Sequence, residues 1–537
     1  MIKYQQLKMY PGYSRQHVIQ TIAKRLHLAP ESIRDLSVLR ESIDARKKPD
    51  VFYTLTVAFS CDNEKEILKK YGKKAVICEY IPQKAVIPSL KAEGITDVPI
   101  VIGAGPAGLF CAYYLAKAGL KPIVLERGKA VEDRIRDVAL FWEKGVLDPD
   151  SNVQFGEGGA GTFSDGKLNT LNKDPYGYQA EILNLFVKMG AYPAVIYEQK
   201  PHLGTDKLID IVRNLRNEII RLGGNVRFGA KVTDFQIEKT GENMHIAGVV
   251  VNACEQIRSR YVITAIGHSA RDTFECLYRR GFSMEAKAFA VGYRVQHPQE
   301  EINISQYGME NKGKFPPAPY KVTAHAANGR SVYSFCMCPG GYVVNSSSEE
   351  GMLCINGMSY SDRAGCNANS AIIVSVTPDD FGDHGPLSGM YFQRELEKKA
   401  YLAGNGKIPV QKYGDYKQKQ PSASEGWICP QMKGQYTLTN LRGILPVSLE
   451  DAFIDGMEQF GKKIPGFDRD DTIIAGVEAR TSSPVRIIRN KDCESVTVAG
   501  VYPCGEGAGY AGGITSAATD GLRVAIAVIK RIGGEIH

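Results

Sequence analysis

Ile100-Val101-Ile102-Gly103-Ala104-Gly105-Pro106-Ala107-Gly108-Leu109-Phe110 decides how this chain folds. Three β-branched residues read as a short buried strand. The glycines that follow have the spacing of a dinucleotide-binding turn. Gly103 supplies the tight turn, Gly105 lets the backbone reach a pyrophosphate, and Gly108 lets the next helix pack against the strand. The N-terminus of that helix offers free N–H groups to phosphates. Ala112, Leu115 and Gly119 continue at helical spacing, and Lys121 to Glu126 reads as a second strand ending in an acid. That acid lies about 20 residues on, where a carboxylate can accept both ribose hydroxyls.

The rest of the composition narrows the class. The chain has 537 residues, with 66 Lys and Arg against 59 Asp and Glu, a net charge of +7. On this length that is too mild for a nucleic-acid binder. The first residues, Met1 to Tyr10, contain no apolar signal-peptide core, and no apolar run approaches the ~18 residues of a membrane span. A cytoplasmic location is expected. The 12 cysteines include no C-x-x-C, which argues against zinc, iron–sulfur or thioredoxin-type chemistry. No metal site is expected. Cys336 and Cys338 form a close pair that a regular strand would place on one face.

Outward from the glycine turn, the chain divides into five segments. Residues 1–85 read as a small α+β unit of order βαββα. Ser14 caps a helix carrying Val18, Ile22 and Leu26, and two long strands flank the polar hairpin Arg46–Asp50. Its basic hairpin raises RNA as a partner, but a charged turn is more commonly just solvated. Residues 86–98 read as a linker. Residues 99–270 form the first part of the dinucleotide-binding domain, with amphipathic helices at Val131–Lys144 and, capped by Thr205, at 206–222. Residues 271–470 change to β-branched and aromatic alternation, an inserted, mainly antiparallel domain for substrate. Residues 471–537 return to the first domain with a strand, a glycine loop and a closing helix from Thr515. The fold class is α/β: a Rossmann-like domain with an inserted α+β domain and a small N-terminal unit.

Two more glycine loops stand out. Asn152 to Leu168 holds five glycines between Gly156 and Gly166, and Val153, Phe155 and Phe163 anchor it. Gly505-Glu506-Gly507 and Gly512-Gly513-Ile514 precede the closing helix. Loops of this kind bring bare backbone against a flat ligand.

With these motifs, the chain resembles the glutathione-reductase-type FAD superfamily. Within it, the chain is similar to bacterial and plastid proteins described as FAD-utilising or NAD(P)/FAD-dependent dehydrogenases. The stretches that carry this narrower likeness are Asn152–Leu168, Pro201–Asp206, Cys336–Gly341, Glu478–Arg486 and Tyr502–Gly521. The resemblance implies non-covalent FAD held by Gly103, Gly105, Pro106, Ala107, Gly108, Glu126, Arg127, Gly159, Ala160, Gly161, Thr162, Val232, Gly267, Glu506, Gly512, Gly513 and Ile514. Glu506 stands where the superfamily usually carries Asp. The helix beginning at Gly513–Ile514 suits the flavin edge that gains charge on reduction. NAD(P)H is implied as a transient reductant, with a redox protein as the other candidate partner.

Flavin chemistry needs a proton partner and a substrate site. His202, between Pro201 and Gly204, is the first candidate base, with His268 beside it in rank. Lys167 is a candidate neighbour of the flavin. Arg480 and Arg486 bracket Thr481–Pro484 and suit a carboxylate or phosphate substrate through paired hydrogen bonds. Arg363 is a similar case. The reading is a FAD-dependent dehydrogenase or reductase acting on a small, anionic molecule. A hydroxylase-type flavin monooxygenase, and a non-catalytic FAD protein with an RNA- or protein-binding N-terminal unit, are the alternatives.

Overall fold

The computed structural model describes residues 1–72, 76–90, 97–168, 174–382 and 385–533. Part of the expected linker, residues 91–96, lies outside the described residues.

Ile100–Ile102 is the central strand of a five-stranded parallel sheet. The order across it is Val501–Pro503, Val262–Thr264, Ile100–Ile102, Ile123–Leu125 and Asn225–Arg227. Nearly every residue of the inner strands is apolar and buried, as a parallel sheet covered on both faces requires. Helices Pro106–Lys117, Thr205–Arg221 and Ile514–Ile532 build one core with the sheet, around Leu109, Ala518 and Leu522. The opposite face carries an antiparallel meander, Val232–Thr240, Asn243–Val251 and Glu255–Arg258, edged by Val498–Ala499. Simple β/α alternation does not anticipate this layer. Its strands join through tight turns at Gly241 and Asn252–Ala253, all at positive φ.

Three sheet strands end in glycine turns at Gly103, Gly267 and Gly505. Their carboxyl ends therefore open a crevice, where ligands bind in open α/β sheets.

The N-terminal unit follows the expected order and adds a short fourth strand, Ile77–Glu79, which pairs with Ile2–Met9. Ser14 caps Arg15–Leu26 as its side chain accepts from the His17 N–H. The unit docks on the rest of the chain. Glu41 exchanges backbone hydrogen bonds of 2.8 Å with Tyr197 and Gln199, and Val51 enters the large core.

The third body is a seven-stranded sheet. Its inner strands, Ser331–Cys338, Asn367–Val376, Phe289–Pro298 and Ile473–Glu478, are antiparallel. Its limits differ from the expected 271–470. Helix Arg271–Arg279 packs through Phe274 and Leu277 on the meander, while Ile473–Glu478 belongs to the large sheet. Thr205 is the first residue inside its helix rather than the cap, and its hydroxyl donates to Ser164 O at 3.1 Å.

Candidate functional site

A cavity of about 500 Å³ runs from the crevice of the parallel sheet to the face of the seven-stranded sheet. Its sheet-side wall is made of the three glycine segments. Gly103 holds φ +98°, and an added Cβ would lie 2.4 Å from Ala265 O. At Gly108 a Cβ would lie 1.9 Å from Gly103 O. Gly108 thus packs helix against strand and does not face the cavity. Gly105 does face it: a Cβ there meets nothing nearer than Gly159 Cα at 3.8 Å. The first-turn N–H groups of the helix from Pro106 have no intrahelical acceptors and stand at this wall.

Glu126 is buried, and its carboxylate accepts the N–H groups of Ala104, Gly128 and Gly156 at 2.7–2.9 Å. One carboxylate so ties the first glycine turn to the second while lining the cavity. Arg134, missed in the sequence, does the rest. Fully buried, it donates to the carbonyls of Asn152, Val153, Gly156, Glu157 and Gly159. Burial lowers its pKa to about 10. In sequence Arg134 looks like one more polar residue of an amphipathic helix. A polar residue on the apolar face of that helix was the available signal. Thr162 lies behind the loop, its hydroxyl 3.4 Å from Glu157 O, and does not reach the cavity, contrary to expectation.

Arg127 pairs with Asp272 and lies 4.3 Å from the Phe155 ring centroid. Gly159, Ala160, Gly161, Val232 and Gly267 line the cavity, as do Glu506, Gly512, Gly513 and Ile514. Glu506 lies 3.1 Å from His268 Nδ1. His268 Nε2 is buried with no hydrogen-bond partner, at a cavity wall. Bare backbone, a free helix terminus and an orphaned ring nitrogen suit a flat, phosphate-bearing, hydrogen-bonding group. The residues present fit FAD.

The catalytic candidates fare differently. His202 is buried behind the wall, with its ring nitrogens against the carbonyls of Asp165 and Tyr360, the latter at 3.0 Å. It does not line the cavity, and burial lowers its pKa. It braces the strand-like bridge between Lys167 and itself. Arg480 reaches the wall, but Glu397 takes its guanidinium at 2.7–2.8 Å, with Ser348 Oγ at 2.6 Å. Arg271 holds the same carboxylate at 2.6–2.9 Å. Arg486 points away, to Glu285 at 3.3 Å on the surface. The two arginines therefore do not converge on an anion. Sequence spacing could not reveal this, because Glu397 lies 83 residues away from Arg480.

Other cations line the cavity. Lys167, Lys200, Lys321 and Arg363 line the end of the cavity at the large sheet. Asp165 pairs with Lys167 at 3.1 Å and with Arg363 at 3.0 Å. Despite burial, these cations hold Asp165 down at about 2. Lys200 has no carboxylate within ion-pair distance among the described residues. Burial, then Lys167, Arg363 and Lys321, push its pKa below the ordinary lysine value. Glu478, which also lines the cavity, forms a bidentate pair with Arg294, at 2.5 and 3.0 Å. Burial raises Glu478 to about 7 against the pull of Arg294. No metal-holding cluster of His, Cys, Asp and Glu occurs among the described residues. No helix among them is long and apolar enough to cross a membrane.

Fold and site together define a flavin-binding α/β protein of the oxidoreductase type. Comparison with known proteins agrees. Residues 288–481 match "FAD-dependent protein, C-terminal domain-like", residues 101–132 match an NAD(P)-binding Rossmann-like domain, and residues 1–60 match a domain of unknown function. An uncharacterised protein of Clostridium beijerinckii is 46% identical over 516 residues, 95% of each chain. The chain belongs to the same family as that protein. A thiamine thiazole synthase of Saccharolobus islandicus is 45% identical over 49 residues, 9% of this chain and 18% of that one. The crystal structure of CtdE in complex with FAD is 13% identical, covering 81% of this chain and 84% of that one, with a TM-score of 0.30.

Proposed function

We propose that this protein is a FAD-dependent dehydrogenase or reductase that takes electrons from NAD(P)H and acts on a small anionic substrate. The observation that carries this reading is a single cavity with two chemically different walls. One is bare backbone and helix N-termini; the other is Lys167, Lys200, Lys321 and Arg363. FAD, when bound, would supply the hydride chemistry. The chain's own residues bind and orient. The glycine segments admit a flat ring, Glu126 and Glu506 accept hydroxyls, and the N-terminus of Ile514–Ile532 stabilises negative charge. The cations fix a carboxylate or phosphate. Substrate excess charge would meet Lys200 first, since no acid neutralises it. In this reading the twelve unpaired cysteines suit a reducing cytoplasm.

The test is anaerobic. NADPH or NADH should bleach the flavin band near ~450 nm. Malonate, citrate and phosphate should perturb the oxidised band with a salt-dependent Kd. Lys200→Glu should weaken that binding about tenfold or more with FAD content unchanged. A band that neither nucleotide bleaches and no anion perturbs would overturn the reading.

A further inference from the structure

Cys336 stands on the substrate-side wall with Cys338 buried behind it, yet nothing in the reading above uses them. In a regular strand, residues i and i+2 share a face but sit about 6.6–6.8 Å apart, too far for the ~3.8 Å between Cβ atoms in a disulfide. This strand is not regular there. Its pairing with Asn367–Val376 slips between Phe335 and Cys338, and Cys336 holds φ +43°. That is a left-handed backbone, strained for a residue with a side chain. The bulge draws the two residues together. The Cys338 thiol donates to Cys336 O at 3.2 Å.

The two sulfurs have different surroundings. Cys336 is half-buried and lines the cavity, whereas Cys338 is fully buried behind it. Lys167, on the second glycine loop, donates to the carbonyl of Met337 between them. Arg294 Nη1 lies 3.2 Å from Cys336 O and 3.9 Å from Cys338 Sγ. The hydrogen bond from Cys338, then Lys167 and Arg294, pull the Cys336 thiol well below its ordinary pKa. Burial pushes Cys338 well above. The sulfur open to the cavity is therefore the more acidic of the two and the buried one the less, the asymmetry of a reactive dithiol.

We propose that Cys336 and Cys338 are a dithiol–disulfide couple that exchanges an electron pair with the flavin across this cavity. The inference rests on FAD occupying the glycine-lined wall. The balance is simple. The Cys336 thiolate and the Cys338 thiol lose two electrons and one proton, one S–S bond forms, and FAD takes up the electron pair and the proton. Running in reverse, reduced flavin opens the disulfide, and the protein stores a second electron pair. Cys336, the exposed sulfur, is the one that attacks and is attacked. The left-handed backbone at Cys336 has a use here, because it takes the pair out of the regular i, i+2 spacing of a strand.

Anaerobic dithionite titration of the aerobically purified holoprotein tests it, with an alkylation map of the peptide that spans both cysteines. Wild type should take up four electrons per flavin. Cys336→Ser and Cys338→Ser should each take up two while retaining FAD. Before reduction, both thiols should resist alkylation and the peptide should carry the 336–338 disulfide; after it, both should alkylate. Two electrons in all three proteins, with both thiols alkylated in the oxidised enzyme, would overturn the couple and leave FAD binding intact. Protein without flavin would fail the FAD reading instead, while the alkylation map still reports whether the disulfide forms.

Discussion

At the residue scale, charge in this protein is decided by partners distant in sequence. Arg480 is held by Glu397, which also serves Arg271, all three buried. Removing one partner of a buried pair leaves the other uncompensated. Arg480→Ala should therefore cost about 3 kcal/mol in chemical denaturation rather than only weaken anion binding. Arg271 and Arg480 outweigh burial and hold Glu397 at about 2, against an ordinary 4.5. Its folded pKa is depressed, so its contribution is fully present above about 4.5 and fades as the pH falls towards about 2. The acid limb of the wild-type stability curve should thus be steeper than that of Arg480→Ala. Equal limbs and unchanged stability would contradict the assignment. Sequence could not anticipate this. Arg480 and Arg486 lie six residues apart, yet one is buried beside Glu397 and the other sits on the surface by Glu285. Lys200 and Lys321 carry no motif, and only the fold brings them to one wall.

At the scale of elements, local pattern was far more legible. The strand–turn–helix at Ile100–Lys117, the N-terminal βαββα order and the closing helix follow directly from periodicity, glycine placement and caps. The antiparallel meander at 232–258 was missed, because short alternating strands between β/α units read as part of the same pattern. The roles of individual glycines were half legible. Gly105 and Gly108 carry the same letter in one motif, but space differs around them. Gly105→Val should fold with a normal circular dichroism spectrum and lose FAD, since only the cavity receives the new side chain. Gly108→Ala should instead lose about 3 kcal/mol of stability, because its Cβ would meet Gly103 O at 1.9 Å. Retained flavin in Gly105→Val, or unchanged unfolding of Gly108→Ala, would reverse these roles.

At the scale of the molecule, two sheets from separate stretches of chain face one cavity, and each brings half of the chemistry. The parallel sheet presents backbone and helix ends. The segment matched to FAD-dependent proteins presents Lys321, Arg363 and Cys336, while Lys167 and Lys200 come from the stretch before it. Lys167 and Asp165, on the second glycine loop, bridge the two through Arg363 and Met337. Ligand at that junction should couple to the stability of the whole chain. FAD at a hundredfold its Kd adds about 2.7 kcal/mol if it binds only the folded state. The account stands on that occupancy, so the most direct measurement is the flavin content of the purified protein. Its visible spectrum, with flavin released by heat and identified by mass, should give one FAD per chain. No flavin as purified, and none taken up when the protein is incubated with FAD, would contradict the account.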